Sequence, residues 1–250
     1  MTNRKYGCIH TPKETLDKVP FALDFTASGS AALPLLASST DYYSRWKGQF
    51  VKLGLLGNDY YGNCVIVAIK SNLPGTQAVN STGTLLSCTE DQALEDYSAI
   101  TGFKKGDPDT DNGTDPLVAL QWYQQQGAIL AFGQVDVTNP AHLACAIEYF
   151  GGVALALDFP GSWQTTTNWD VTDEDPEGGH MIVLGSVNAN GGYDVETWAE
   201  DPPPVITQAA VTQRAQAGWV TISTGWFETN GQTLQDFRLA DLQAALRLVA

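Results

Sequence analysis

An α+β fold, with helices first and strands later, is what this sequence predicts, and three observations predict it. Three segments before residue 151 carry matched helix start and stop signals. After residue 153, two apolar runs and one alternating segment read as strands. Asn190-Gly191, between the last two of these, is a hairpin-turn signal. This order places a helical lobe against an antiparallel β-sheet lobe with a cleft between them. Clefts of that kind are where ligands bind.

The elements follow in chain order. Residues 1–50 have weak periodicity and carry Pro12, Pro20 and Pro34, yet also Phe21, Leu23, Phe25, Leu33, Leu35 and Leu36. They read as an extended N-terminal arm docked on a domain formed by residues 51–250. The apolar run from Cys64 to Lys70 follows Asn63, a good N-cap, and precedes Pro74, a stop; it reads as a buried helix. Thr89-Glu90-Asp91-Gln92 is a capping box, and Leu94, Tyr97 and Ile100 follow at helical spacing up to Gly102. Asp115-Pro116 opens a helix carrying Leu117, Leu120 and Tyr123 and ending at Gly127. Asn139-Pro140 opens another, with Leu143, Ile147 and Phe150 on one side and Gly151 after it. Val153–Phe159, Met181–Val187 and Tyr193–Trp198 are the strands. Thr233–Val249 is amphipathic through Leu239, Leu242, Leu246 and Val249.

Composition narrows the function classes. A net charge of −15 repels phosphate backbones, which argues against a nucleic-acid partner. No stretch approaches the roughly 20 apolar residues of a membrane span. The first residues lack the apolar core of a secretory signal, so the expected location is cytoplasm, or a particle released from it. Cys8, Cys64, Cys88 and Cys145 form no C-x-x-C pair and read as free thiols. Cys8-Ile9-His10 lacks a second ligand pair, and no Gly-rich phosphate loop is present, so no metal or cofactor is expected. The run Asp107-x-Asp109-x-Asp111 fails the calcium-loop pattern at Asn112 and Val118 and reads as an acidic turn. A second acidic loop, Asp170 to Glu177, is a solvated surface or, if it overhangs a cleft, a selector of basic substrates.

One constellation carries chemistry. Asn63 puts Cys64 in the first turn of a helix, where the macrodipole favours a thiolate. Gly62 allows close backbone approach by a substrate. His180 follows Gly178-Gly179 and opens a strand. Glu196 and Trp198 lie on the strand that the Asn190-Gly191 turn returns beside it, where Glu196 can orient the imidazole and Trp198 can shield the contact. Asn58 stands six residues before Cys64 in a polar loop.

The order of these residues resembles the papain-like cysteine peptidases: a Cys on a helix, Gly-His at a strand start, and a polar residue two before a Trp on the next strand. Leu56-Gly57-Asn58-Asp59-Tyr60-Tyr61-Gly62-Asn63-Cys64 is similar to an LGNDxxGxC pattern in phage and bacterial papain-like proteins. Thr110–Thr114, Gly178-Gly179-His180 and Asn230–Thr233 resemble that group as well. The resemblance implies a thiol hydrolase, a peptidase, in which Cys64 and His180 form a thiolate–imidazolium pair. It gives Asn58 to the oxyanion hole and Glu196 to orienting His180. The substrate is then a peptide or protein. Val65, Glu196 and Ala199 depart from the family's usual Trp, Asn or Asp, and Gly. Those departures motivate the alternative expectation, a non-catalytic accessory or structural protein of a phage virion or capsid surface.

Overall fold

The computed structural model of the chain describes residues 4–19, 50–82 and 86–224. After a one-turn helix α1 (Lys13–Leu16) and a 3-10 turn (Phe50–Leu53) comes a long helical passage. It consists of α2 (Cys64–Val67), a π turn (Ala68–Asn72) and α3 (Leu73–Thr82). The passage does not stop at Pro74. A proline ring clashes with the carbonyl four residues back in a regular α-helix, and the wider π turn just before Pro74 relieves that crowding, so the chain stays helical.

The other three expected helices form where their caps stand. In α4 (Glu90–Thr101) the Thr89 hydroxyl accepts from the Gln92 amide and the Gln92 side chain accepts from the Thr89 amide. Gly102, left-handed at φ 78°, ends it. Asp115 caps α5 (Pro116–Gln125) and Asn139 caps α6 (Pro140–Phe150), each side-chain oxygen accepting first-turn amides. Such a cap contributes about 1 kcal/mol. A short α7 (Gln208–Arg214) follows later.

Seven strands form one sheet in the order β1-β7-β2-β4-β5-β6-β3. They are β1 (Ile129–Val135), β2 (Val153–Pro160), β3 (Asn168–Trp169), β4 (Pro176–Val187), β5 (Tyr193–Glu196), β6 (Val205–Ile206) and β7 (Ala215–Ser223). All pairings are antiparallel except β3 with β6. The β4–β5 hairpin turns at Asn188, whose side-chain oxygen accepts the amides of Asn190 and Gly192.

Strand alternation divides the core. On one sheet face Ala154, Ala156, Met181, Val183 and Trp219 pack beneath α2 to α5, through Cys64, Val65, Ile69, Tyr97 and Leu120. On the other face Val153, Leu155, Leu157, Ile182 and Leu184 pack against α6 and α7. Gln77 ties the layers together: its Nε2 donates to the carbonyls of Phe150 and Thr221 at 2.8 Å each, and its Oε1 accepts from Ser223. The Thr233–Val249 amphipathic segment and residues 20–49 of the arm lie outside the described residues. No helix among the described residues is long and apolar enough to cross a membrane.

Candidate active site

Cys64 opens α2 and is fully buried. Asn63 precedes it as expected, but its side chain does not cap the helix. Its Nδ2 donates instead to the Leu56 carbonyl at 2.9 Å, which fastens the 55–62 loop to the helix start. Asn58, in that loop, is 1% exposed, and its Oδ1 has no hydrogen-bond partner among the described residues. The Cys64 sulfur lies against β4, with the amides of Met181 and Gly7 facing it.

His180 sits on β4 directly opposite Leu157 of β2 and is also fully buried. Its ring stacks on Trp198 at 4.3 Å, meets the Phe159 ring edge-on at 5.4 Å and faces Tyr6 at 6.1 Å. Phe159 in turn meets Trp163 and Trp169 edge-on, and those two indoles stack on each other. Aromatic pairs of this geometry add about 0.5–1.5 kcal/mol each beyond area burial, so the imidazole is held in a rigid cage.

The Cys64 sulfur thus lies beside the backbone of Met181, the residue after His180, and no hydrogen bond joins Cys64 to His180. His180 Nε2 is 2.8 Å from the Thr197 hydroxyl, and Nδ1 has no hydrogen-bond partner. With Thr197 accepting, the ring proton sits on Nε2 and Nδ1 carries the free lone pair. The polar group that orients the ring here is Thr197 rather than the expected Glu196. Glu196 pairs with Val183 further along β4, is 1% exposed, and leaves both carboxylate oxygens unpartnered. Burial first and the Glu200 carboxylate second push its pKa well above the usual carboxylate range. The Ala199 amide favours the ionised form slightly without hydrogen-bonding to it. Burial thus favours the neutral form of Glu196.

The shifts at Cys64 and His180 run against the expected thiolate–imidazolium pair in this closed arrangement. Burial pushes the Cys64 thiol up to about 11, outweighing the nearby amides that favour the thiolate. Burial, helped by the Arg4 guanidinium, pushes His180 down to about 3. Both groups are neutral, because desolvation penalises each charge more than the helix start can offset.

The chain's own N-terminal segment adds to that burial. Residues 4–11 pass between Gly62 and Thr114 on one side and Gly179, at the start of β4, on the other. Arg4 lies 4.3 Å over the Trp198 ring and pairs with Glu200 at 2.6 Å. Tyr6 packs on Phe159 and donates to Glu177. The Gly7 carbonyl accepts from the Thr114 amide at 2.8 Å, Cys8 donates to the Gly179 carbonyl at 2.9 Å, and Ile9 donates to the Thr114 carbonyl at 3.0 Å. Thr11 then bonds to Asp115. The approach is tight enough to require glycine at two positions: a Cβ on Gly7 would stand 1.9 Å from the Gly62 oxygen, and one on Gly179 would stand 2.1 Å from the Cys8 oxygen. A groove of about 420 Å³ remains beside the segment, walled by residues 4–9, Asn112 and Glu177–Gly179.

Sequence reasoning missed the hydroxyl at Thr197, the place where the start of the expected arm docks, and Asp111. Asp111 is buried: its Oδ1 accepts from the Gly62 amide at 2.9 Å and the Tyr97 hydroxyl at 2.8 Å, and its Oδ2 accepts from Lys5 at 2.6 Å. The Asp170–Glu177 loop reaches the segment only at its Glu177 end. Asp170 and Glu174 serve local bonds to Val171, Thr207 and Ser162 instead.

This arrangement is a papain-like fold. A cysteine protease of Carica candamarcensis, solved with E-64, is similar with a TM-score of 0.51 and 16% identity over 75% of this chain and 99% of its own. Procathepsin L 3 of the Tenebrio molitor larval midgut is similar with a TM-score of 0.53 and 15% identity over 84% of this chain and 78% of its own. The bromelain protease of Ananas comosus, solved with E64, is similar with a TM-score of 0.51 and 12% identity over 75% of this chain and 100% of its own. At these identities the likeness establishes the fold. No protein-family model matches the chain, and no curated protein matches it in sequence.

Proposed function

We propose that the chain is a thiol hydrolase acting on peptide bonds, in a state that its own residues 4–11 hold closed. One observation carries the reading. On a papain-like fold, a free Cys64 at a helix start lies against the Met181 amide, one residue after a histidine whose Nδ1 has no other partner. Displacing the segment removes Arg4, which raises the His180 pKa, and admits water, which raises the His180 pKa further and lowers that of Cys64. His180 Nδ1 then takes the thiol proton, and the thiolate attacks the substrate carbonyl carbon. The Asn58 side chain and the Cys64 amide support the oxyanion; one such donor is worth about 10²–10³ in kcat. His180 returns the proton to the leaving amine, and water cleaves the thioester with His180 as its base. Thr197 fixes the ring throughout.

The second reading is a non-catalytic module on the same fold, attached to a phage particle. On its side stand the filled groove and the neutral pair. A peptide-library assay separates the two readings. Cleavage by the wild type that is lost in Cys64→Ser supports the hydrolase. No cleavage at any pH, with no acceleration when the segment is weakened, leaves the non-catalytic module.

A further inference from the structure

We propose that Asp111 is a cation-binding specificity residue, so that the enzyme prefers peptides carrying Lys or Arg within two residues of the scissile bond. The inference rests on the hydrolase reading and adds the substrate class. Asp111 holds its carboxylate under Lys5 of the covering segment, in a wall formed with Gly62 and Tyr97, with the side chain 4% exposed. One oxygen is committed to the wall itself. Oδ1 accepts the amide of Gly62, two residues before the nucleophile, and the hydroxyl of Tyr97, which in turn accepts from the Gly113 amide. The other oxygen is satisfied by a cation from the covering segment. Lys5 Nζ donates to Oδ2 at 2.6 Å and to the Asp111 carbonyl at 3.0 Å.

Lys5 stands two residues before Gly7, whose amide faces the Cys64 sulfur. The segment therefore presents a lysine side chain to a fixed carboxylate while its backbone crosses the nucleophile. A peptide can reach Cys64 only by displacing this segment, because Gly7 is already in contact with Gly62. Displacement takes Lys5 away and leaves Oδ2 of a buried carboxylate without its cation. An unpaired buried charge is costly, so the incoming peptide that supplies a new cation is favoured over one that does not. The same logic disfavours an acidic side chain there, through direct repulsion.

The test uses the full-length chain and a positional peptide library in which Lys, Arg, norleucine and Glu are exchanged at each of the four positions flanking the scissile bond. Norleucine keeps the length of Lys and removes its charge. Cleavage is followed by mass spectrometry. The expected result is a tenfold or larger kcat/KM preference for Lys and Arg over norleucine at one of these positions, with Glu poorest. In Asp111→Asn, whose Oδ1 can still accept from Gly62 and Tyr97, that ratio falls to within about twofold. In Lys5→Met, which leaves the wall intact, the ratio is retained. Equal cleavage of the Lys and norleucine peptides by wild type, or an unchanged ratio in Asp111→Asn, overturns the specificity role while the hydrolase reading stands. Absence of cleavage of every peptide removes the hydrolase reading and this inference with it.

Discussion

Replacing Glu196 by Gln changes how stability depends on pH, and the structure sets the direction of the change. Glu196 has its folded pKa raised above the ordinary 4.5. Its contribution is fully present below pH 4.5 and is lost as pH rises toward the folded value, because the unfolded chain releases a proton that the folded chain keeps. His180 is the opposite case, lowered from 6.5 to about 3. Its contribution is present above pH 6.5 and is lost as pH falls toward 3. Each group alone gives a slope of about 1.4 kcal/mol per pH unit. Above pH 4.5 and below pH 6.5 the two slopes oppose each other. Glu196→Gln removes one of them. Relative to wild type, the variant should gain stability as pH rises above 4.5, at up to about 1.4 kcal/mol per pH unit, on top of any pH-independent cost of burying an unpartnered amide. Urea unfolding of both proteins at pH 4.5, 5.5 and 6.5 measures this directly. A difference that stays flat across the three pH values refutes the claim that Glu196 is a buried neutral acid.

Other outcomes follow from single contacts. Lys5→Met removes the pair with Asp111; discounted for the exposure of Lys5, that pair is worth about 1 kcal/mol, so iodoacetamide should alkylate Cys64 about fivefold faster. Thr197→Val keeps the β-branched shape and deletes the His180 Nε2 partner; kcat on any cleaved peptide should fall on the order of tenfold or more, with Thr197→Ser restoring much of it. Gln77→Leu unpairs two buried carbonyls and a hydroxyl, and should cost about 2–4 kcal/mol by urea unfolding.

The helices were legible in the sequence because their signals are local. Thr89 with Gln92, Asp115 with Pro116, and Asn139 with Gly151 each lie within one element, and each cap forms. Pro74 misleads because its effect depends on the π turn ahead of it. The β7 strand, Ala215–Ser223, escapes because Ala215, Ala217 and Gly218 weaken its apolar pattern; its place between β1 and β2 is decided by long-range pairing. The residues of the candidate site are legible by type and order, but their charge states are not. Those depend on Arg4, Tyr6 and Gly7 covering residues far along the chain. Asp111 reads locally as one more aspartate in an acidic turn. Its burial follows from Gly62, Tyr97 and Lys5, none of which adjoins it in sequence.

On the proposed function, Cys64 is a nucleophile kept neutral while the N-terminal segment covers it and activated by His180 once that segment leaves. Gly7→Ala tests it most directly, since a methyl group there would stand 1.9 Å from the Gly62 oxygen and must push the segment out. The measurement is the rate of Cys64 alkylation by iodoacetamide from pH 5 to pH 11, read by peptide mass spectrometry, in wild type, Gly7→Ala and Gly7→Ala/His180→Gln. Wild type should react slowly, with a rate that climbs only toward the raised thiol value of about 11. Gly7→Ala should react at least tenfold faster near neutral pH, and the His180→Gln double variant should lose that gain. A Gly7→Ala protein whose Cys64 keeps the slow, high-pH profile of wild type, or whose fast reaction is indifferent to His180, would contradict the account.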